Sequence, residues 1–475
     1  LADRIALPPD WGITDREEIA ELRLIPGQEA PVSEWIFALA APFPTIVDDV
    51  TGEELFRAWQ GESDSLAGGR PLLISESTLE LVSVLWGQSA PSAVRVLPAA
   101  DLQSAAWEEP YSWAILPFES LNPRWKVIAI DAISPLHKDF DRGDYELAVP
   151  ISLAGGDLPE GLSIPASNRD PGKLTTLAMT GVTALVRATA FTMEREGVTY
   201  PGEDVGPWLR AADLTHISNE VPFVEDCPYP NPVQQEMRFC SRDRYLELLV
   251  DVGADVIELT GDHFSDWGHA AMLHTLDLYA EEGWLVYGGG ADLKAARQSV
   301  TVEHNGNRLA FLGCNAKPLN YAHATDSTPG AAPCDFAWME AEIERLRNDD
   351  YLPIVTFQHI EYYTYAAQPD QRRDAQQMTQ AGAVIVSGSQ AHQPQAFEFS
   401  DGGFVHHGLG NLFFDQYGVS ESTRQGFIDR HVFYDGRHIG TELLTIMFID
   451  YARPRPMTAE ERVALLEAVF QASEW

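Results

Sequence analysis

The chain is short of positive charge: 32 Lys and Arg stand against 71 Asp and Glu, a formal net charge of -39 over 475 residues. That balance argues against nucleic acid, whose phosphates would be repelled, and against an anionic membrane surface. Cysteine is scarce too. There are four, none in a Cys-x-x-Cys, which removes a Cys-rich zinc knuckle. They fall in two close pairs, Cys227 with Cys240 and Cys314 with Cys334. Two short-loop disulfides in an oxidising compartment are one reading and four buried free thiols the other. Only the first pair, in the loop-like EDCPYPNPVQQEMRFCSRD, is expected to be bonded. No apolar run reaches the length of a membrane span, and there is no internal repeat, low-complexity tract or signal peptide. The chain starts at Leu1 rather than Met, so an export or lipoprotein segment is expected to have been removed. The expected location is therefore extracellular or anchored at the cell surface.

What the sequence does hold is core. Hydrophobic residues make up 45% and aromatics 10%, enough for packed globular structure, and the length suits two domains of unequal size. The stretch 153–173, LAGGDLPEGLSIPASNRDPGK, has neither hydrophobic period and is rich in Gly and Pro. It divides the chain into an α/β domain over 1–153, a linker over 154–173 and a second α/β domain over 174–475.

In the first part, WIFALAAPF (35–43), PLLIS (71–75) and KVIAI (126–130) read as strands. Thr51 with Glu54 reads as a helix start, and Ser77 or Thr78 as the cap of a helix running to Leu85. In the second part strands and helices alternate. Strands are expected at 175–181, 213–218 and 254–261 and in LPIVTFQH and AVIVSG. Helices are expected in the segment up to Glu196 and in RDRYLELLVDVG, WGHAAMLHTLDLYAEEG, FAWMEAEIERLRNDD and QRRDAQQMTQAG, with a hairpin at Asn305-Gly306. Such alternation predicts a mostly parallel sheet covered by helices, with ligands beyond the strand C-termini. That rule selects Val182, Glu220, Asp262 with His263, His359, and Gln390 with His392. Imidazoles and carboxylates at successive strand ends suit zinc, manganese or iron, whereas calcium would want oxygens only.

Six motifs in order over about 174–450 resemble the CapA family, the poly-γ-glutamate capsule proteins with a metallophosphoesterase-like fold. They are Gly181-Val182 with Arg187; Ser218-Asn219-Glu220-Val221-Pro222; Gly261-Asp262-His263-Phe264-Ser265-Asp266-Trp267-Gly268; Gly288-Gly289-Gly290; QHIEYY with His359; and Gly388-Ser389-Gln390-Ala391-His392-Gln393-Pro394-Gln395, followed by Glu398 and by His407-Gly408-Leu409-Gly410-Asn411-Leu412-Phe413. The resemblance implies metal ligands at Glu220, Asp262, His359, Gln390 and His392. It implies an acid/base at His263 oriented by Asp266, and Arg187 as a further catalytic residue. It also exposes two departures. Val182 stands where the family has a ligating Asp, and Gln390 stands where it has a His. Gln is workable for manganese or magnesium. The expectation is therefore at most one divalent metal per chain (Mn, Zn, Mg or Fe). Over 35–150 a weaker similarity is to phosphate-type periplasmic substrate-binding proteins. That fold holds anions at helix N-termini, which marks Ser75, Ser77 and Thr78, residues that otherwise serve as ordinary caps.

The expected function is an extracellular CapA-like protein of capsule or surface-polymer synthesis with a partly degraded metal site. The alternatives are a one-metal hydrolase of phosphoester or γ-glutamyl amide bonds, and a self-assembling surface protein. The expected partner is an anionic surface polymer or small anion reached through the metal.

Overall fold

The structure is a computed structural model. It describes residues 5–14, 16–27, 30–62, 66–108, 110–156, 159–318 and 322–475. The chain divides into two compact units, Leu1–Gly172 and Lys173–Trp475.

In the first unit the described strands form an eight-stranded mixed sheet around Pro31–Pro42. The segment Ile36–Ala41 of that strand is fully buried, so it reads in sequence as a continuous apolar run. The helix Gly52–Trp59 starts at the expected capping box, Thr51 with Glu54. The next helix begins slightly earlier than expected. Its N-cap is Ser75, whose Oγ accepts the Thr78 N–H at 3.2 Å, and it runs Glu76–Trp86. Most of the Gly/Pro-rich stretch falls within the first unit. It begins inside the strand Ala148–Gly155, and Asn168 is buried in the first unit. The Asn168 amide accepts the Ile36 N–H at 2.8 Å and donates to the Ile36 carbonyl at 2.9 Å, a substitute for a neighbouring strand.

In the second unit two sheets face each other. The first runs, in spatial order, Leu285–Tyr287, Val256–Glu258, Leu214–Asn219, Leu174–Thr180, Gln425–Tyr434, Arg437–Phe448 and Pro454–Pro456. Its first four strands are parallel and the rest antiparallel. The second runs Val300–His304, Asn307–Asn315, Leu352–Gln358, Ile385–Ser387, Gly403–His406 and Phe397–Ser400, with a parallel centre. Outer faces pack on helices. Leu248 and Met272 cover the first sheet, and Ile343 and Met378 the second. Inner faces meet through His216 and Tyr287 against Phe311. The arrangement is mixed α/β, with helix-covered sheets as the alternation of periods requires.

Local chemistry sets the boundaries. Asp335 caps Phe336–Asn348 by accepting the Trp338 N–H, and Thr458 with Glu461 forms a capping box for Ala459–Ala472. The Asn305-Gly306 hairpin has both residues at positive φ, 47° and 76°, as a two-residue turn of this hand demands. Gly181 and Gly388 are among the glycines dictated by close approach. A Cβ on Gly181 would lie 1.8 Å from the Gly410 carbonyl oxygen, and one on Gly388 would lie 1.9 Å from that of His407.

Both cysteine pairs are bonded: Cys227–Cys240, as expected, and also Cys314–Cys334. The second was not legible because its partners lie on separate elements. Cys314 ends a buried strand and Cys334 precedes the helix Phe336–Asn348, with Cα atoms 5.0 Å apart. Thiol titration of non-reduced, urea-unfolded protein should therefore find no free thiol. Replacing Cys227 and Cys240 together by Ala should lower stability by about 3 kcal/mol, read from the urea midpoint.

Candidate metal centre

Several parallel strands of the second unit deliver their C-terminal residues to one end of the sheet pair. Leu214–Asn219 ends at Glu220, whose N–H donates to the Thr183 carbonyl at 2.9 Å. The turn after Val256–Glu258 carries Asp262 and His263. The turn after Ile385–Ser387 carries Gln390 and His392. Among the described residues, two groups of ligand-type side chains each have their ligand atoms within 4.8 Å of one another: Glu220, Glu361 and His392, and Glu220, Asp262 and His263.

Four of the expected residues, Glu220, Asp262, His263 and His392, are thus brought together. His359 is not among them. Its Nε2 lies 3.1 Å from Asp374 Oδ2, on the helix Pro369–Ala381, and its ring packs on Phe357. The residue that reaches the cluster from that strand is its neighbour Gln358, whose Nε2 donates to Asp262 Oδ1 at 2.7 Å. Strand alternation is the reason, since successive side chains leave opposite faces. Gln390 is buried; its Nε2 donates to Ser218 Oγ at 2.5 Å and its Oε1 accepts no hydrogen bond. Val182 is fully buried in an apolar cluster with Val186, Val221, Phe239 and Phe414. Arg187 is spent elsewhere: its guanidinium donates to the Asp415 carbonyl, lies 3.8 Å from the Asp415 carboxylate and stacks over Phe239 and Phe414. In the first unit, Ser75, Ser77 and Thr78 bond to one another at the helix start, with hydroxyl separations from Ser75 of 3.2 and 2.8 Å. A cleft of about 890 Å³ in that unit is lined by Thr45, Asp49, Arg70, Tyr111 and Trp113 and not by these three residues.

Two charged residues went unforeseen. Lys317 Nζ lies 2.7 Å from Asp262 Oδ2 and also donates to Glu361 Oε1. Applying the strand-end rule to Asn307–Asn315 would have pointed to Lys317, and Glu361 lies two residues beyond His359 in the QHIEYY segment already singled out.

The protonation states follow from the packing. Burial raises the Glu220 carboxyl to about 8, with Asp262 and Glu361 adding to it and His263 and Lys317 opposing. Burial alone would lower His263. The bond from its Nδ1 to Asp266 Oδ2 at 2.7 Å and the charges of Glu220, Asp266 and Asp262 outweigh that and raise it to about 9. Asp262 is also buried, yet Lys317 and His263 hold it below the usual carboxylate range. Burial would lower Lys317, but Asp262 and Glu361 raise it above the ordinary lysine value. Burial keeps His392 below the usual histidine range, hence neutral. Its tautomer is fixed by Asn411. The Asn411 Nδ2 donates to the carbonyls of His392 and Thr423, so its Oδ1 is the acceptor for His392 Nδ1–H at 2.9 Å. That leaves the Nε2 lone pair facing the carboxylates, the form a metal requires.

The second unit is thus a helix-covered α/β unit with carboxylates and imidazoles collected at its strand ends, residue types that could hold a metal ion. The chain belongs to the bacterial capsule synthesis protein PGA_cap family, whose profile matches residues 176–416. It is 26% identical over 303 residues to the capsule biosynthesis protein CapA of Bacillus anthracis, covering 62% of this chain and 72% of that protein. It is 25% identical over 265 residues to the PGA biosynthesis protein CapA of Bacillus subtilis (strain 168), covering 56% and 69%. Among solved structures, a 5'-nucleotidase precursor from Thermus thermophilus aligns at 13% identity over 62% of this chain and 58% of that one, with TM-score 0.37. An ABC-type phosphate transport receptor from Vibrio cholerae aligns at 15% identity over 31% and 66%, with TM-score 0.25.

Glu220 and His263 both have raised values, so each contributes stability that is complete below its unfolded value and lost as pH rises through its folded one. For Glu220 the window is about 4.5 to 8 and for His263 about 6.5 to 9. Metal-free protein should lose thermal stability steadily from pH 5 to pH 9, since the two windows together span that range. Glu220→Gln should flatten the lower part of that profile in a differential scanning calorimetry series; an unchanged slope would remove Glu220 as the cause.

Proposed function

We propose that this chain is an extracellular accessory protein of poly-γ-glutamate capsule synthesis that holds one divalent cation rather than two. Membership of the capsule synthesis family and the two CapA relatives support the process. Two disulfides support an oxidising location, and among the described residues no helix is long and apolar enough to cross a membrane. We read the second unit as a metallophosphoesterase-like fold and the first as a substrate-binding-protein-like α/β domain.

The observation that carries the single-cation reading is the Glu220–Glu361–His392 group. Two carboxylates and a neutral imidazole with its Nε2 free make a donor set that zinc, manganese or iron accepts. Gln390 Oε1, buried and without a hydrogen-bond donor among the described residues, would be a further acceptor if it reaches that shell. The acid that the resemblance places at the first motif is absent, because Val182 sits among apolar side chains. A bound cation would supply charge to hold an anionic group of a polymer against an otherwise acidic protein. His263, held by Asp266 as an imidazolium beside Glu220, favours the second reading, a one-metal hydrolase. It would donate a proton to a leaving group.

Metal content and turnover separate the two. Metal-free protein titrated with Mn2+ should take up one equivalent. Glu361→Gln should abolish that binding, and His359→Ala should leave it unchanged, reversing the order that the QHIEYY motif alone suggests. The accessory reading further expects no release of glutamate from poly-γ-glutamate and no cleavage of a phosphodiester by the Mn2+-loaded chain. Hydrolysis that His263→Gln eliminates would establish the hydrolase instead.

A further inference from the structure

The two ligand groups overlap. Both contain Glu220; one adds Glu361 and His392, the other Asp262 and His263. Two cation positions sharing one carboxylate is the layout a pair of metal ions uses. Between the two unshared carboxylates stands Lys317. Its ammonium is 2.7 Å from Asp262 Oδ2 and donates also to Glu361 Oε1, and its side chain is only 12% exposed.

This placement is built into the strand ends. The Lys317 N–H donates to Asn315 Oδ1 at 3.0 Å. Asn315 Nδ2 in turn donates to the Thr260 carbonyl at 2.8 Å and to Gln358 Oε1 at 2.9 Å. Gln358 closes the ring by donating to Asp262 Oδ1. The turn that carries Lys317 is thus fixed to the same elements that carry Asp262. Asp262 accepts from Gln358 on one oxygen and from Lys317 on the other, so an ammonium already stands where a metal would bring its positive charge. Glu361 gives one oxygen to Lys317 and keeps the other.

We infer that the Lys317 ammonium is a resident cation filling the Asp262 side of a two-cation pocket, so that only the Glu220–Glu361–His392 side is left for a divalent ion. The inference rests on the metal-binding reading of this site. Charge points the same way as geometry. With Glu220, Asp262 and Glu361 all ionised around a bound ion, three carboxylates less one ammonium leave two negative charges, which one divalent ion neutralises. A second divalent ion would add an uncompensated double charge to a buried pocket, where the cost is large. The His263–Asp266 pair does not alter the count, since its two charges cancel when both are ionised.

The test uses the full chain, stripped of metal and titrated with Mn2+ by calorimetry, with bound manganese checked by ICP mass spectrometry. Lys317→Met removes the charge at similar length, and Lys317→Arg keeps it. The Met variant should bind one equivalent more than the unmodified chain, and the Arg variant the same number. No gain in the Met variant overturns the inference. A gain from zero to one would uphold it and would sink instead the single-ion reading of the unmodified protein, so the two failures are distinct. If the Met variant does not fold, Lys317→Gln supplies the same readout. Electron paramagnetic resonance of the unmodified, Mn2+-loaded protein tests the inference without any variant. An isolated six-line Mn2+ signal supports it, and an exchange-coupled pair of ions with Lys317 in place overturns it.

Discussion

The site depends on a buried carboxylate that never reaches it. Glu258, fully buried at the end of a strand of the first sheet, accepts hydrogen bonds from Thr260 at 2.6 Å and from Ser389 of the second sheet's turn. His216 Nε2 lies 3.4 Å away and meets the Tyr287 hydroxyl at 2.8 Å. Burial alone would raise Glu258; the bonds from His216, Ser389 and Thr260 outweigh it and keep the group below the usual carboxylate range. A buried charge with all its partners in place tolerates little displacement, because losing one leaves the charge unsolvated at a cost of roughly 3–5 kcal/mol. Ser389 is followed by Gln390 and His392, and Glu258 precedes Asp262 and His263. The seam therefore sets how the turn carrying Gln390 and His392 faces the turn carrying Asp262 and His263.

Around that seam the site balances excess negative charge by internal means. Glu220 is held partly protonated by burial, Asp262 is ionised against Lys317, and His263 is charged against Asp266. A pocket in which the protein's own cations stand among the carboxylates differs from one emptied for two metal ions. Beside it, Val182 packs with Phe239 and Phe414, whose rings also carry the Arg187 guanidinium.

Much of this was determined by the sequence alone. Hydrophobic period and turn residues marked the strands ending near Glu220, Asp262 and Gln390, the helix that starts at Thr51, the helix in FAWMEAEIERLRNDD and the Asn305-Gly306 hairpin, because these features depend on near neighbours. The motif order marked Glu220, Asp262, His263 and His392, and Asp266 as the partner of His263. Tertiary structure decided the rest. Whether His359 or Gln358 faces the cluster depends on which side of the strand Leu352–Gln358 meets the first sheet, and a one-residue difference reverses it. Lys317 and Glu361 became site residues only when two turns from different strands met over Asp262. Cys314 found Cys334 for the same reason. Long-range juxtapositions of this kind leave no local period in a chain, since their energy comes from charges and sulfur atoms that become neighbours only after the two sheets have packed.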